Sequence, residues 1–235
     1  MVRLYLFAEG QTEQTFADTV LKPHLAKVGV FLHGPVLIAH ARKKGKIYRG
    51  GGRKYLTIKN DIIRFLKQES GRDVFFTSMI DLYGLPSGFP GMQDAEGLRY
   101  DPHKRVEALE YSWSEDIGDQ RFIPFIQLHE YEAYLFCDVT QLALFYFDKN
   151  AEIHRLKEIA ESVGTPELID DGPHTAPSKR IIEALPEYGP DKRTVGPQAA
   201  ELIGLNHIRS KCPHFDGWLV RLEGLSGANS SPKKS

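Results

Sequence analysis

"DVFFTSMIDLYG", residues 73–84, decides the fold. From Val74 to Ile80 only Thr77 and Ser78 interrupt an apolar run. A strand with one face in water alternates apolar and polar residues. A run this continuous predicts a strand covered on both faces, as in the interior of a parallel sheet. The run stops on Asp81, and Gly84 follows in good turn chemistry.

Reading outward toward the N-terminus, "VRLYLFAEG" (2–10) is β-branched and aromatic and also stops on an acid, Glu9. Phe16, Val20, Leu21, Leu25 and Val28 then recur at helical spacing. A second strand is expected in "VFLHGPVLIAHA" (30–41), then a loop "RKKGKIYRGGGRK" (42–54), then a helix over 55–70 with a buried face of Leu56, Ile58, Ile62, Ile63, Phe65 and Leu66. Reading toward the C-terminus, a Gly/Pro-rich loop (84–102) leads to a helix from about His103 to Asp116 and a strand in "QRFIPFIQL" (120–128). Pro124 within that last strand predicts an edge or a bulge. Strands alternating with helices predict an α/β fold: a mainly parallel sheet flanked by helices. After Asp138 the pattern changes to short helices broken by Pro and Gly. The expected organisation is an α/β domain over 1–137, a helical C-terminal subdomain over 138–225 packed on it, and a frayed tail over 226–235.

Bulk properties narrow the function classes. The chain has 235 residues, 41% hydrophobic and 26% charged, enough for a core without covalent staples. Net charge is -1, from 30 basic and 31 acidic residues, so any nucleic-acid binding must come from a local patch. Cys137 and Cys212 lack Cys-x-x-Cys spacing, which argues against a disulfide scaffold or zinc knuckle and reads as two core residues. With no apolar stretch near the ~18 residues of a membrane helix and no signal-peptide pattern, a cytoplasmic protein without a membrane partner is expected.

The acids at the strand ends are the candidate chemistry. Ligands of open α/β sheets bind beyond the carboxyl ends of the strands. Glu9 ends the first strand, Asp81 the central one, and Glu130 follows the third within "IQLHEYEAYLF" (126–136). Neighbouring strands lie ~4.8 Å apart, close enough for such carboxylates to share a hard cation, Mg²⁺ or Mn²⁺. Capping and turn roles explain each acid singly; their common edge favours a site. If a helix starts near His129, Glu130 stands at its N-terminus facing the site, while Glu132 joins His129 or caps the turn. The metal set is therefore Glu9, Asp81 and Glu130, with Glu132 as the further ligand.

A second candidate is the basic, glycine-rich loop. Arg42, Lys43, Lys44, Lys46, Arg49, Arg53 and Lys54, with Tyr48, have the composition that a phosphate backbone and a stacked base require, and equally that of a solvated loop. Lys179 and Arg180 fall in the first turn of a helix, where the dipole disfavours cations unless an anion is nearby; a nucleic-acid groove or scattered surface charge would account for them. Lys192, Arg193, Arg209, Lys211 and His214 are further basic positions for a groove.

"FAEGQTE" (7–13), "DLYGLP" (81–86) and "HEYEAYLF" (129–136), followed by "PSKR" (177–180), "GPQAAELIGL" (196–205) and "CPHFDGWL" (212–219), resemble the DUF4276 family, a Toprim-like bacterial group. The resemblance implies a Toprim-like sheet in which Glu9, beside Gly10, and Asp81 bind Mg²⁺ for phosphodiester chemistry. It further implies a metal-dependent nuclease of DNA or RNA, a component of a bacterial defence system working beside an ATPase subunit. Where Toprim domains carry the second acid of Asp-x-Asp, this chain has Tyr83. Either Glu130 or Glu132 supplies the missing charge, or the chain is a non-catalytic nucleic-acid-binding or ATPase-partner module. A phosphatase or nucleotide hydrolase on the same metal edge is the third expectation.

Overall fold

The computed structural model describes residues 1–38, 42–43, 46–47, 54–169, 172 and 174–228. Strand β1 (Val2–Ala8) pairs in parallel with β2 (Val30–Leu32) and then β3 (Val36–Leu37) along one side. A two-stranded antiparallel hairpin, β4 (Arg42–Lys43) with β5 (Lys46–Ile47), stands outside this sheet. On the other side of β1 lies β6 (Val74–Asp81), in register from Arg3 opposite Val74 to Ala8 opposite Met79. Beyond it β7 (Phe122–Ile123) and β8 (Ile126–Gln127) complete the sheet, again in parallel.

The apolar run of 73–84 is thus an interior strand, as its composition predicts. The two flanking strands differ from expectation in being split. His33, Gly34 and Pro35 divide the second into β2 and β3, because Pro35 has no N–H to give to the ladder. Pro124 divides the last into β7 and β8, at the sheet edge where such a residue is tolerated. Ser78 bridges that gap: its hydroxyl accepts the Phe125 N–H at 2.8 Å and donates to the Phe125 carbonyl at 3.0 Å.

Helices cover both faces. From β1 the chain enters α1 (Gln11–Phe16), passes a π turn at Ala17–Leu21 and continues as α2 (Lys22–Lys27). Phe16, Leu21 and Leu25 pack on Leu4, Leu6 and Ala8 of β1. The opposite face, with Phe7, Phe76 and Ile80, is covered by α3 (Tyr55–Gln68); α4 (Met92–Glu96), a short helix within the Gly/Pro-rich loop; and α5 (Pro102–Ile117). In α3 the buried stripe is Ile58, Ile62 and Leu66, one residue per turn; Leu56 lies off it and is 61% exposed, against expectation.

The C-terminal part is helical as expected: two 3₁₀ segments (Tyr131–Cys137 and Val139–Leu144), then α6 (Asn150–Ser162), α7 (Pro177–Ala184), α8 (Tyr188–Ile203), α9 (Leu205–Lys211), α10 (Pro213–Glu223) and α11 (Leu225–Ala228). Residues 226–228, expected to fray, belong to α11. These helices share one apolar cluster with the α1 face of the sheet, where Trp218 stacks on Phe125 at 4.3 Å between ring centres. The indole N–H of Trp218 donates to Thr77 Oγ1 at 2.9 Å, fastening α10 to the middle of β6. Among the described residues, no helix is long and apolar enough to cross a membrane.

Candidate acidic site at the strand ends

The strand order places β1 between β2 and β6. After β1 the chain turns to one side to lay down β2 and β3, then crosses to the other for β6. The crevice of a doubly wound sheet opens at such a reversal. Glu9 and Asp81 stand at the two strand ends that border it.

Glu9 Oε2 accepts the backbone N–H of Asp81 at 2.9 Å, tying the two strand ends together. Its carboxylate lies so close to Gly84 that a Cβ there would sit 2.9 Å from Glu9 Oε1, so the turn after β6 needs glycine to admit it. Asp81 Oδ1 accepts the N–H of Tyr131 at 3.1 Å, which docks the start of the 3₁₀ segment against β6. The chain reaches that segment through His129, whose φ of +60° is left-handed and unusual for a residue with a side chain. This turn brings the buried Glu130 and Glu132 to the crevice.

Glu130 and Glu132 have separate partners. Glu130 accepts from the backbone N–H of Ser178, from the Ser178 hydroxyl at 2.9 Å and from the Tyr83 phenol. Its carboxyl group therefore stands at the N-terminus of α7, the helix whose first turn carries Lys179 and Arg180. Glu132 takes Lys192 Nζ at 3.0 Å and the Tyr188 hydroxyl at 3.2 Å, both from α8. A fifth carboxylate, Glu13, was not singled out from the sequence: it is buried, and its Oε2 reaches back to accept the Gly10 N–H at 2.8 Å, capping the start of α1. The spacing Gly-x-x-Glu before an apolar run was the signal available for it.

Packing these acids together shifts the protonation of Asp81, Glu13 and Glu130. Burial raises Asp81 well above the ordinary carboxylate range, and the charges of Glu9, Glu13, Glu132 and Glu130 add to it. Burial, with Glu9 and Glu132, lifts Glu13 to about 7. Glu130 is raised by burial and by Glu132, against the lowering effect of its bonds from Tyr83 and Ser178. Burial alone would depress the Lys192 ammonium, but Glu132, Glu130 and Asp81 outweigh it and leave its pKa raised. The strand ends are thus a site of strong like-charge repulsion, with the Lys192 ammonium beside Glu132.

Among the described residues, no group of three or more His, Cys, Asp or Glu side chains is arranged as a ligand set for a metal ion. The pair at the crevice, Glu9 and Asp81, still matches what Mg²⁺ asks of a protein, since this ion keeps waters and is held by one or two carboxylates with substrate phosphate. Their chemistry fits a hard divalent cation; Glu130 and Glu132 are turned to Ser178, Tyr83 and α8.

The basic positions separate. Arg42, Lys43 and Lys46 fall in the β4–β5 hairpin and Lys54 just before α3, while Lys44, Arg49 and Arg53 lie outside the described residues. Lys179 is exposed beside Glu130's helix end, and Arg193 on α8 bonds Gln11 at 3.2 Å. Two positions leave the expected groove: Arg209 is bonded to Asp216 and Glu223, and His214 is buried against Glu110 at 3.0 Å.

Together these features define an α/β protein with a parallel sheet wound in both directions and an acid-lined crevice at its reversal point. The chain belongs to the family described as a domain of unknown function, DUF4276, whose model matches residues 8–223. No curated protein and no solved structure matches the chain.

Proposed function

We propose that this chain is a divalent-metal-dependent phosphodiesterase acting on DNA or RNA in the bacterial cytoplasm, with its site in the crevice between β1 and β6. The observation that carries the reading is the meeting of Glu9 and Asp81 at neighbouring parallel strand ends, inside a pocket whose carboxylates repel one another unless protons or a cation intervene. Glu9 and Asp81 would hold Mg²⁺ or Mn²⁺, which when bound activates water and offsets phosphate charge. Glu130, whose proton affinity is raised by burial and by Glu132 and which is held by Ser178 and Tyr83, is the group to exchange a proton at the leaving or attacking oxygen. Lys192, Lys179 and the hairpin cations Arg42, Lys43 and Lys46 would contact the phosphate backbone. The Toprim likeness and work beside an ATPase subunit in defence belong to the same proposal.

Calorimetric titration of Mn²⁺ and Mg²⁺ into wild type and Asp81→Asn is the test, followed by a cleavage screen on mixed DNA and RNA. Saturable binding lost in the variant, with metal-dependent cleavage abolished in Glu9→Gln, is expected. Undiminished cleavage in either variant refutes the assignment. The protein donors already engaged by Glu130 and Glu132 favour a second reading, a nucleic-acid-binding or ATPase-partner module without turnover. That reading predicts salt-sensitive binding that is indifferent to Mg²⁺ and leaves the polymer intact.

A further inference from the structure

Away from the crevice, two cysteines that are far apart in sequence meet. Cys137, partly exposed, ends the first 3₁₀ segment; Cys212, fully buried, precedes α10; their sulfurs are 3.5 Å apart. A disulfide needs ~2.05 Å, a closure of about 1.5 Å that side-chain rotation can supply. The proximity is held by backbone on both sides. His207 of α9 lies 3.1 Å from the Cys137 carbonyl, and the Cys212 N–H bonds Ile208 of the same helix at 2.9 Å. Only one sulfur is reachable: Cys137 lines a cleft of about 480 Å³ with Asp138, Lys157, His207 and Lys211, which Cys212 does not line.

We propose that Cys137 and Cys212 form a reversible intramolecular disulfide, made by exchange with a low-molecular-weight disulfide that enters the cleft beside Cys137. The inference is independent of the phosphodiesterase reading. Cys137, the sulfur that faces the cleft, attacks as its thiolate, the nucleophilic form of a thiol. It forms a new S–S bond, breaks that of the reagent and releases one thiol. Cys212 Sγ then attacks Cys137 Sγ, expelling the second thiol. The protein loses two electrons and two protons, which leave on the two released thiols, and the reagent is reduced. The Cys212 thiol is pushed up by Cys137 and by burial, so it stays protonated until the mixed disulfide is beside it. The bridge would enclose α6 to α9, the segment that supplies Ser178 and Lys192 to Glu130 and Glu132.

The test uses the full chain, reduced, desalted and incubated with oxidised glutathione. Expected are loss of both thiols to alkylation, a peptide pair linking the two cysteines in a monomeric protein, reversal by dithiothreitol, and a thermal midpoint raised by a few degrees through loop closure. Cys212→Ser should retain one glutathione on Cys137, and Cys137→Ser should take up none. The proposal is overturned by two thiols that alkylate in denaturant after oxidation, by a stable glutathione adduct on wild-type Cys137, by bridges only between molecules, or by glutathione on Cys212 in Cys137→Ser.

Discussion

Lys192 shows how a single side chain sets the electrostatics of the crevice. It is the ammonium that meets Glu132, which is 1% exposed. Replacing it with Met should leave a buried carboxylate without its cation, at a cost of about 2 kcal/mol given that the lysine is itself partly exposed. Most of that loss should return in the double variant with Glu132→Gln, a cycle read from urea unfolding midpoints. A second residue-scale expectation concerns His214, buried against Glu110. Burial opposes its charge, but the bond to Glu110 and the charges of Glu110 and Glu167 prevail and raise its pKa above 6.5. The folded state therefore binds the proton more tightly than the unfolded chain. Its contribution is complete below about pH 6.5 and fades as pH rises through the folded value. Wild type should lose more stability than His214→Gln as pH rises from about 6.5 through the folded value; equal slopes in urea would refute the pairing.

Among the elements, the edge strand depends most on a neighbour. Pro124 interrupts its ladder, and Ser78 satisfies both backbone groups of Phe125. Ser78→Ala should cost about 1–3 kcal/mol, because it strands a buried N–H and C=O, whereas Ser78→Thr should cost less if its hydroxyl keeps the same bonds. Denaturation of the two variants side by side checks this. The strands carrying Glu9 and Asp81 were legible in the sequence because their apolar runs have few polar breaks and each stops on an acid. The splitting of the other strands was signalled by Pro35 and Pro124, but the side-chain repair by Ser78 was not, since it joins residues 47 apart in the chain. Glu13 escaped notice for a related reason: as a helix cap it has a complete local explanation, and its approach to Glu9 and Glu132 exists only once the helices are packed. The partner of Lys192 was equally hidden, because Glu132 sits on a segment whose entry turn requires the left-handed His129.

At the scale of the molecule, the acid-lined crevice is a source of instability that a cation would relieve. If Glu9 and Asp81 hold Mn²⁺, a millimolar concentration should stabilise the fold by roughly 2.7 kcal/mol when metal is 100-fold above Kd, and the thermal midpoint should rise accordingly. Asp81→Asn should be more stable than wild type in chelator and unmoved by metal, as scanning calorimetry would report. A wild-type midpoint unaffected by metal would leave the nuclease proposal without a cofactor. The shared apolar cluster between the sheet and the C-terminal helices means that metal bound at the strand ends would be felt in α8 and α10 as well.

The position of β1 in the sheet also has a consequence for biosynthesis. This strand is paired on both sides, yet its partner β6 begins only at Val74. At roughly 5–20 residues per second, a ribosome takes about 3–13 s to add the intervening chain. Through that interval Leu4, Leu6 and Phe7 lie along an open edge that any other nascent strand can join. Pauses in translation between β1 and β6 should therefore raise the aggregated fraction, while pauses after Asp81 should not.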